Sequence, residues 1–517
     1  MPNLSVYNIA CAFRLLGDLD TEALGWSLGK TIGRHEALRT GFRSIDGELY
    51  QVVVPALETS LPIRHLGGDD DSNLEADAMS LLAGAVCRPF DLTRPGLLRA
   101  SLYQLGERDY ILLLVVHHIV CDGWALEVVA RDLFALYSSR VQSTSPQLPD
   151  LAVRYGETIE RERQRFASGA LDKQIDYWRH ELAGAPPVVN LPLDRPRSRL
   201  QATEGATIQS YFESSLLDKI VQLARVEKVT PFTCFLASLH VILHRYSGQA
   251  DCMIGVPTAG RLSRDVEDVV GLYANMLPLR ARLGDNPTFR DLLHETGECA
   301  FRAYARQEVP FDAIVEALNP ARDLSVNPLF QVALAYQEFP IRPPEAPGIE
   351  IKTFTIPRST ARFDLALNLI PEGGRMQCRL EYASKLFDNA TMQRFIGHYR
   401  QLLESAVADP GLRVGELPLL DETERTQVLV DVNRFNTAIQ SDECVHEAIE
   451  AVVEQSPEIT ALVDPLTCLT YQELNVLANR LARHLRARGI GREDVVALLS
   501  DRCLELPVAM LAVLKAG

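Results

Sequence analysis

Apolar residues along the chain follow two different periods. VYNIACAFRLLG at residues 6–17 has the apolar, β-branched character of a strand. Leu24, Leu28 and Ile32 then recur at helical spacing, and Asp20 just before them is of a residue type that caps helices. Strand and helix patterns alternate in this way throughout, without a low-complexity tract or a short repeat. The sequence therefore predicts a mixed α/β fold.

A second strand and helix pair stands near the end of the first quarter of the chain. YILLLVVHH at residues 110–118 is a continuous apolar run that predicts a buried strand. WALEVVARDLFALY at residues 124–137 carries apolar residues at helical spacing, with polar residues opposite. The pattern predicts a strand, a short polar loop and a helix.

Two proline-rich or irregular stretches divide the chain. With 517 residues, the chain exceeds the size at which one hydrophobic core stops growing, so two or three folded units are expected. AGAPPVVNLPLDRPRSRLQATE at residues 183–204 is dense in proline, and we place a boundary between two lobes there. A second linker is predicted within residues 409–440, before a new helical pattern.

Composition excludes several classes of function. A formal net charge of −16 argues against a nucleic-acid partner, which requires a concentrated basic face. No apolar stretch approaches the length of a membrane span, and no secretory signal is seen, so the expected location is the cytoplasm. The ten cysteines form no Cys-x-x-Cys pair, so we expect reduced thiols and no metal site.

The most informative chemistry is His-His-Ile-Val-Cys-Asp-Gly at residues 117–123, called the HHxxxDG motif below. Neighbouring side chains of a strand face opposite sides, so one histidine is expected to be catalytic and the other structural. Neutral imidazole suits proton handling near neutral pH, and we favour His118 for that role. Asp122 either orients the histidine or anchors the loop. Gly123 allows close approach, and its amide could face a developing oxyanion.

The motif and four others resemble the condensation domains of nonribosomal peptide synthetases, in the chloramphenicol-acetyltransferase-like superfamily. HHIVCDGW carries the signature. The further motifs follow in the family's order: RHEALRTGF at 34–42, VGLYANMLPLR at 270–280, RQEVPFD at 306–312 and RDLSVNPLF at 322–330. LTYQELNVLANRLARHL at 469–485 and LKAG at 514–517 resemble the start of an adenylation domain.

The resemblance implies an α/β fold of two acetyltransferase-like lobes in a V-shaped pseudo-dimer, followed by a partial α/β adenylation segment. The lobes are expected at residues 1–183 and 184–425, a linker at 426–440 and the adenylation part at 441–517.

The sequence departs from the family's pattern in several places, including Ala125, Arg306 and Val326 within the motifs. The first motif is not found, and no glycine-rich phosphate loop follows LKAG, so no adenylation activity is expected of these residues. Where the family has an aromatic YxDYAxW, this chain has YGETIER, from Tyr155 to Arg161.

The resemblance also implies an activity and its partners. Condensation domains form an amide between an acyl thioester and an α-amine, both carried on 4′-phosphopantetheine arms of upstream donor and downstream acceptor carrier proteins. No directly bound cofactor is expected, and an adenylation domain is the neighbouring partner. By the same resemblance, His118 stands where the two arms meet in a tunnel.

Other site residues follow from this resemblance. Asp122 pairs with an arginine in the family, and the candidates here are Arg34, Arg39 and Arg280. Trp124 and Asn275 are expected to line the substrate tunnel, although a role in capping local backbone is as good a reading of Asn275.

Three alternatives remain. An epimerization domain also carries HHxxxDG, but the motif order before an adenylation start favours condensation. A heterocyclization domain is less favoured, because its signature replaces the histidines. A non-catalytic docking platform for carrier proteins is disfavoured by the intact His118. L-aminoacyl, D-aminoacyl and fatty-acyl donors are not separated, with a weak preference for an L-configured donor.

Overall fold

The structure is a computed structural model that describes residues 5–66, 74–201, 203–320, 323–337, 344–356, 359–433, 444–464 and 467–517. Residues 434–440 of the predicted linker lie outside these ranges. The chain divides into two compact units, Met1–Thr423 and Glu424–Gly517. Each unit is described by itself.

The described strands are, in chain order, β1 (Asn8–Gly17), β2 (Thr40–Ile45), β3 (Glu48–Val53), β4 (Ile63–His65), β5 (Leu98–Gly106), β6 (Asp109–His117), β7 (Gly205–Phe212), β8 (Asp251–Thr258), β9 (Asn275–Arg282), β10 (Val332–Tyr336), β11 (Ile349–Phe354), β12 (Leu365–Glu372), β13 (Arg375–Ala383), β14 (Thr460–Val463) and β15 (Cys468–Thr470).

The described α-helices are α1 (Thr21–Arg34), α2 (Leu74–Cys87), α3 (Gly123–Gln142), α4 (Tyr155–Ala167), α5 (Asp172–Glu181), α6 (Ser214–Glu227), α7 (Pro231–Ser247), α8 (Phe289–Tyr304), α9 (Phe311–Leu318), α10 (Asn389–Ala408), α11 (Glu422–Thr426), α12 (Val445–Gln455), α13 (Tyr471–Ala487) and α14 (Glu505–Ala516).

The first sheet has the strand order β11-β1-β6-β5-β4. Strand β6 lies at its centre, as its apolar run requires, and it pairs antiparallel with both β1 and β5. Both predicted strands, β1 and β6, are confirmed. The predicted helix after β1 is confirmed as α1, where Asp20 accepts a hydrogen bond from the Ala23 amide at 2.9 Å.

The second sheet has the strand order β7-β13-β12-β10-β8-β9. Strands β8, β10 and β12 run parallel to one another, and β9 and β13 pair antiparallel with β8 and β12 on either side. Strand β7 pairs antiparallel with β13 at the edge, so it runs in the same direction as the three central strands. Strand β11 comes from the second half of the chain but pairs with β1 in the first sheet. The two halves of the first unit are therefore joined by main-chain hydrogen bonds as well as by their connection.

Two hydrophobic cores lie within the first unit. One is built mainly from residues 9–155, and it also takes in Val266, Val269 and Val270 from the second half. The other is built from residues 171–417. It includes Leu171 and Trp178, which precede the boundary predicted at residue 183. The second core thus begins in and just before α5, ahead of the proline-rich stretch.

The second unit has a small core of its own. Helices α13 and α14 pack against each other through Leu474, Ala478 and Leu511, beside the β14–β15 hairpin. Across the described part of the chain, no single helix is both long and apolar enough to span a membrane, and only α6 with α7 pass such a test as a pair, bent by 101°.

Candidate functional site

The HHxxxDG motif folds as a sharp turn between a strand and a helix. Strand β6 ends at His117, a short 3₁₀ turn covers His118–Val120, and α3 begins at Gly123. Because the backbone turns between the two histidines, their side chains are not held to opposite faces of one strand. The turn gives the two imidazoles different surroundings.

His117 is held within this turn by contacts of its own. Its Nδ1 accepts a hydrogen bond from the Ile119 amide at 3.2 Å, and the rings of Tyr7 and Phe90 lie with centroids 6.2 Å from its own. Burial lowers its pKa below the ordinary value. The ring is therefore neutral at pH 7 and accepts through Nδ1.

The Phe90 ring is supported by residues that the sequence did not single out. The Arg99 guanidinium lies 3.8 Å from the centroid of Phe90 and donates to the Arg88 carbonyl. The side-chain Nδ2 of Asn8 donates to the same carbonyl at 2.9 Å. These contacts fix the residues after α2 against His117. A lone asparagine in a strand pattern offers no sequence signal for such a role.

His118 is partly exposed, and its electrostatic setting is unusual. Burial lowers its pKa to about 4, the positive charge of Arg362 acts in the same direction, and a hydrogen bond to its own backbone opposes both. The imidazole is therefore neutral across the physiological pH range, and its free nitrogen can accept a proton or a hydrogen bond.

Arg362 comes from the second half of the chain, just before β12. Its carbonyl accepts hydrogen bonds from the side chains of Asn327 at 2.7 Å and Gln201 at 2.8 Å. Two residues further on, Asp364 binds the guanidinium of Arg197 through two hydrogen bonds of 2.9 and 2.5 Å. These contacts fix the loop that brings a positive charge close to His118.

Asp122 is buried and points away from solvent, with 1% exposure. Its Oδ1 accepts from the Ala125 amide at 2.8 Å and so caps α3, while its Oδ2 accepts from the amides of Tyr273 at 2.9 Å and Ala274 at 3.0 Å. Its own amide donates to the Gly271 carbonyl at 3.3 Å. Asp122 therefore anchors the turn to residues 271–274 of the second half.

The arginine paired with Asp122 is Arg261. Its Nη2 lies 3.4 Å from the carboxylate, and both side chains are 2% exposed. The same guanidinium donates to the carbonyls of Val266 and Val269, the latter at 2.8 Å, and lies 4.4 Å from the ring centroid of Tyr273. Arg261 follows the end of β8, a position outside all five family motifs found in the sequence.

The prediction of Arg34, Arg39 or Arg280 as that partner is wrong. Arg34 pairs with Asp132 at 2.9 Å, and Arg280 pairs with Asp251 through bonds of 2.9 and 2.6 Å. Arg39 donates only to main-chain carbonyls among its described contacts. Each guanidinium has acceptors of its own, so none is available to the motif's carboxylate.

The first two residues of α3 face outward. Apart from its chain neighbours and its own helix backbone, no described heavy atom lies within 4 Å of the position that a Cβ on Gly123 would take, so the space around that position is open. Trp124 is 46% exposed, and its Nε1 donates to the Glu267 carbonyl at 2.9 Å. The tunnel-lining role of Trp124 and the oxyanion role of the Gly123 amide stay predictions.

The side chain of Asn275 forms hydrogen bonds with main-chain groups. Its Nδ2 donates to the carbonyls of Gln307 at 2.9 Å and Val309 at 2.7 Å, and its Oδ1 accepts from the amides of Met276 and Phe311 at 2.9 and 3.0 Å. All four hydrogen-bonding positions of the amide are used. These contacts support the backbone-capping interpretation, since Asn275 holds residues 307–311 against β9.

Comparison with known proteins identifies the family. The model of the condensation domain matches residues 1–429, and that of the AMP-binding enzyme matches residues 449–517. The chain belongs to the condensation-domain family. It is 36% identical over 514 residues to chondramide synthase from Chondromyces crocatus, and 34% identical over 513 residues to tyrocidine synthase 3 from Brevibacillus parabrevis. Each match covers 99% of this condensation-domain chain but only 13% and 8%, respectively, of the relative.

Solved structures agree with this fold. The X-domain from teicoplanin biosynthesis is 28% identical, with a TM-score of 0.75 over 80% of this chain and 93% of the other. The four-domain nonribosomal peptide synthetase AB3403, solved with AMP and glycine, has a TM-score of 0.80 over 99% of this chain and 39% of the other, at 24% identity. The predicted condensation fold, followed by the start of an AMP-binding domain, is confirmed.

The RHEALRTGF motif of this condensation domain, at residues 34–42, supports α3. Asp132, fully buried in α3, accepts from Arg34 at 2.9 Å and contacts the Nε2 of His35 at 3.0 Å. Arg131 binds Asp132 at 2.8 Å and also pairs with Asp268. Burial lowers the pKa of His35, whose neutral ring donates to the carboxylate. The network ties α1 and the residues before β9 to the helix that begins at the HHxxxDG turn.

Proposed function

We propose that this condensation domain forms an amide bond between an acyl or peptidyl thioester donor and the α-amine of an aminoacyl acceptor. One observation carries the proposal: His118, in an intact HHxxxDG motif, is neutral, partly exposed and held where both halves of the first unit meet. A non-catalytic docking platform needs none of these features.

The reaction uses the neutral imidazole to hold the acceptor. The amine nitrogen attacks the thioester carbon, the carbon–sulfur bond breaks, and the amine's proton is passed to the leaving thiolate, giving an amide and a free thiol. Bringing both reactants into one aligned site supplies much of the rate acceleration, because orientation of this kind is worth up to about 7–11 kcal/mol.

The lowered pKa of His118 favours positioning over prior deprotonation. An α-ammonium has a pKa of about 7.7–8.0, so full proton transfer to an imidazole with a pKa of about 4 costs about 5 kcal/mol. Accepting a hydrogen bond from an amine that is already neutral has no such cost. After attack the nitrogen becomes far more acidic, and His118 can then relay its proton.

The substrates in this proposal arrive on carrier proteins. Membership of the condensation-domain family, the synthetase relatives and the AMP-binding segment support delivery on 4′-phosphopantetheine arms, from an upstream donor and a downstream acceptor carrier. The adenylation domain is then the neighbouring partner. We prefer an L-configured donor. We place the reaction in the cytoplasm, where the ten cysteines, all free in the structure, stay reduced.

The test is a reconstituted condensation. A donor carrier protein is loaded with an L-leucyl, D-leucyl or octanoyl group, an acceptor carrier with each of the proteinogenic amino acids, and amide products are detected by mass spectrometry. We expect product with at least the L-leucyl donor, and a rate of product formation at least about a hundredfold lower with His118→Ala. Absence of amide from every combination, or equal product from His118→Ala, would overturn the proposal.

A further inference from the structure

Tyr155 is the part of the unusual YGETIER segment that reaches the HHxxxDG turn. It is the first residue of α4, 6% exposed, and its ring packs against Gly271. A Cβ on Gly271 would lie 2.2 Å from the ring, so the pair fits only because residue 271 has no side chain. The contact joins a residue of the first half to a residue of the second.

The Tyr155 hydroxyl binds both main-chain groups of the next residue. The Leu272 amide donates to the hydroxyl at 3.3 Å, and the hydroxyl donates to the Leu272 carbonyl at 3.4 Å. Burial raises the pKa of the phenol well above its ordinary value, so it stays protonated and can do both. The ring also meets Tyr273 edge to face, with centroids 5.5 Å apart.

Residues 271–274 are the same residues that hold the HHxxxDG turn. The Gly271 carbonyl accepts from the Asp122 amide at 3.3 Å, and the amides of Tyr273 and Ala274 donate to its carboxylate. Tyr155 binds the one residue of this segment, Leu272, that lies between those contacts. The Tyr155 hydroxyl is therefore linked to Asp122 through residues 271–274, and Asp122 caps the helix that follows His118.

We propose that Tyr155 is a positioning residue for condensation, acting through residues 271–274 and Asp122 on His118. This inference rests on the proposed function and adds to it a device that aligns the HHxxxDG turn. A purely structural tyrosine would contribute to stability alone. A positioning tyrosine also changes the rate of the chemical step, because a displacement of about 1 Å can cost about a hundredfold.

The test compares two buried tyrosines. Tyr155→Phe removes the hydroxyl that binds Leu272 and keeps the ring. Tyr399→Phe is the matched control, since that hydroxyl donates to the Phe235 carbonyl at 2.8 Å in the second core and the side chain is fully buried. Both variants should lose similar stability. Only Tyr155→Phe should lower kcat, by about tenfold to about a hundredfold, with the KM for the acceptor carrier nearly unchanged.

A spectroscopic readout separates positioning from loss of folded protein. In ¹H–¹³C NMR spectra, the imidazole resonances of His118 should shift in Tyr155→Phe and stay in place in Tyr399→Phe. If Tyr155→Phe does not accumulate as folded protein, the variant Thr158→Val replaces it. This variant removes the Thr158 hydroxyl, which lies 2.9 Å from the hydroxyl of Tyr273 in residues 271–274. The expected loss of kcat is then smaller.

Exchanging the contact gives an independent check. Gly271→Ala alone should impair kcat more than Tyr155→Phe, and the added change Tyr155→Leu should restore part of the rate by making room for the new methyl group. The inference would be overturned if folded Tyr155→Phe kept the wild-type kcat and the wild-type His118 resonances. It would also be overturned if Tyr155→Phe and Tyr399→Phe lost kcat equally. Inactive wild-type protein would instead refute the proposed function.

Discussion

Asp122 lies 3.4 Å from Arg261 but only 2.8–3.0 Å from the three main-chain amides that it accepts from. The hydrogen bonds from these three main-chain amides are therefore the stronger part of the anchor, and the arginine balances the buried charge. A carboxylate satisfied in this way has no lone pair directed at a substrate. These contacts support the proposal that Asp122 acts in the reaction by holding the turn that carries His118.

Replacing Asp122 should cost stability and activity together. Asp122→Ala leaves Arg261 buried without its anion and removes the α3 cap, so the free energy of unfolding should fall by about 3–5 kcal/mol. Urea denaturation measures the loss. Asp176→Ala, which breaks an exposed pair with Arg179, is the control and should change stability by less than about 0.5 kcal/mol. An Asp122→Ala protein as stable as wild type would show that the anchoring role is wrong.

The two histidines should fail in different ways. His118→Ala should lower the single-turnover rate of amide formation by about 10²–10⁴-fold, with stability within about 1 kcal/mol of wild type. His117→Ala removes the acceptor for the Ile119 amide and should lower the free energy of unfolding by about 1–3 kcal/mol. Single-turnover rates of amide formation and denaturation curves of both variants show which histidine acts in the reaction and which supports the fold. A large rate loss in stable His117→Ala would reverse the assignment.

The elements of the site were predictable because their signals are local. The apolar run of β6, the helical spacing of α3 and the Asp20 cap of α1 each depend on residues within one or two turns of each other. The order of the motifs then identified the condensation domain and singled out His118 as the residue expected at the reaction.

The contacts that tune the site were not predictable because they join distant parts of the chain. Arg261 meets Asp122 across 139 residues, and the charge near His118 comes from Arg362. Three arginines in recognised motifs were better candidates by sequence, yet each is used by another acceptor. No periodicity or spacing reveals which of several arginines a buried carboxylate meets.

Asn275 provides a test between lining a substrate path and holding the backbone. Asn275→Ala strands the carbonyls of Gln307 and Val309, so the free energy of unfolding should fall by about 2–4 kcal/mol. At a temperature where the variant is folded, KM for donor and acceptor should stay within about twofold of wild type. A stable variant with a KM raised about tenfold or more would support the substrate role instead.

Acidification should destabilise the first unit through histidines whose pKa is lowered on folding, such as the partly exposed His118 and the buried His240. The pKa of His118 is lowered to about 4 and that of His240 to about 3, both mainly by burial, whereas the same groups titrate near 6.5 in the unfolded chain. Between these values the unfolded chain binds more protons than the folded one. Stability is therefore complete above about pH 6.5 and is lost as the pH falls toward about 4.

Variants at His118 test the size of this effect. A fully shifted histidine contributes a slope of about 1.4 kcal/mol per pH unit, so His118→Asn should remove up to that much of the slope in urea denaturation between about pH 7 and about pH 4.5. Arg362→Gln should act in the same direction more weakly, because removing its positive charge raises the His118 pKa toward the ordinary value. An NMR titration of His118 locates its midpoint directly in wild type and Arg362→Gln. The contrary result is an NMR midpoint near 6.5 for wild-type His118, together with equal slopes of unfolding free energy against pH in wild type and His118→Asn. That result would show that His118 is solvated and becomes charged in acid. The argument for a neutral imidazole that positions the amine would then fail.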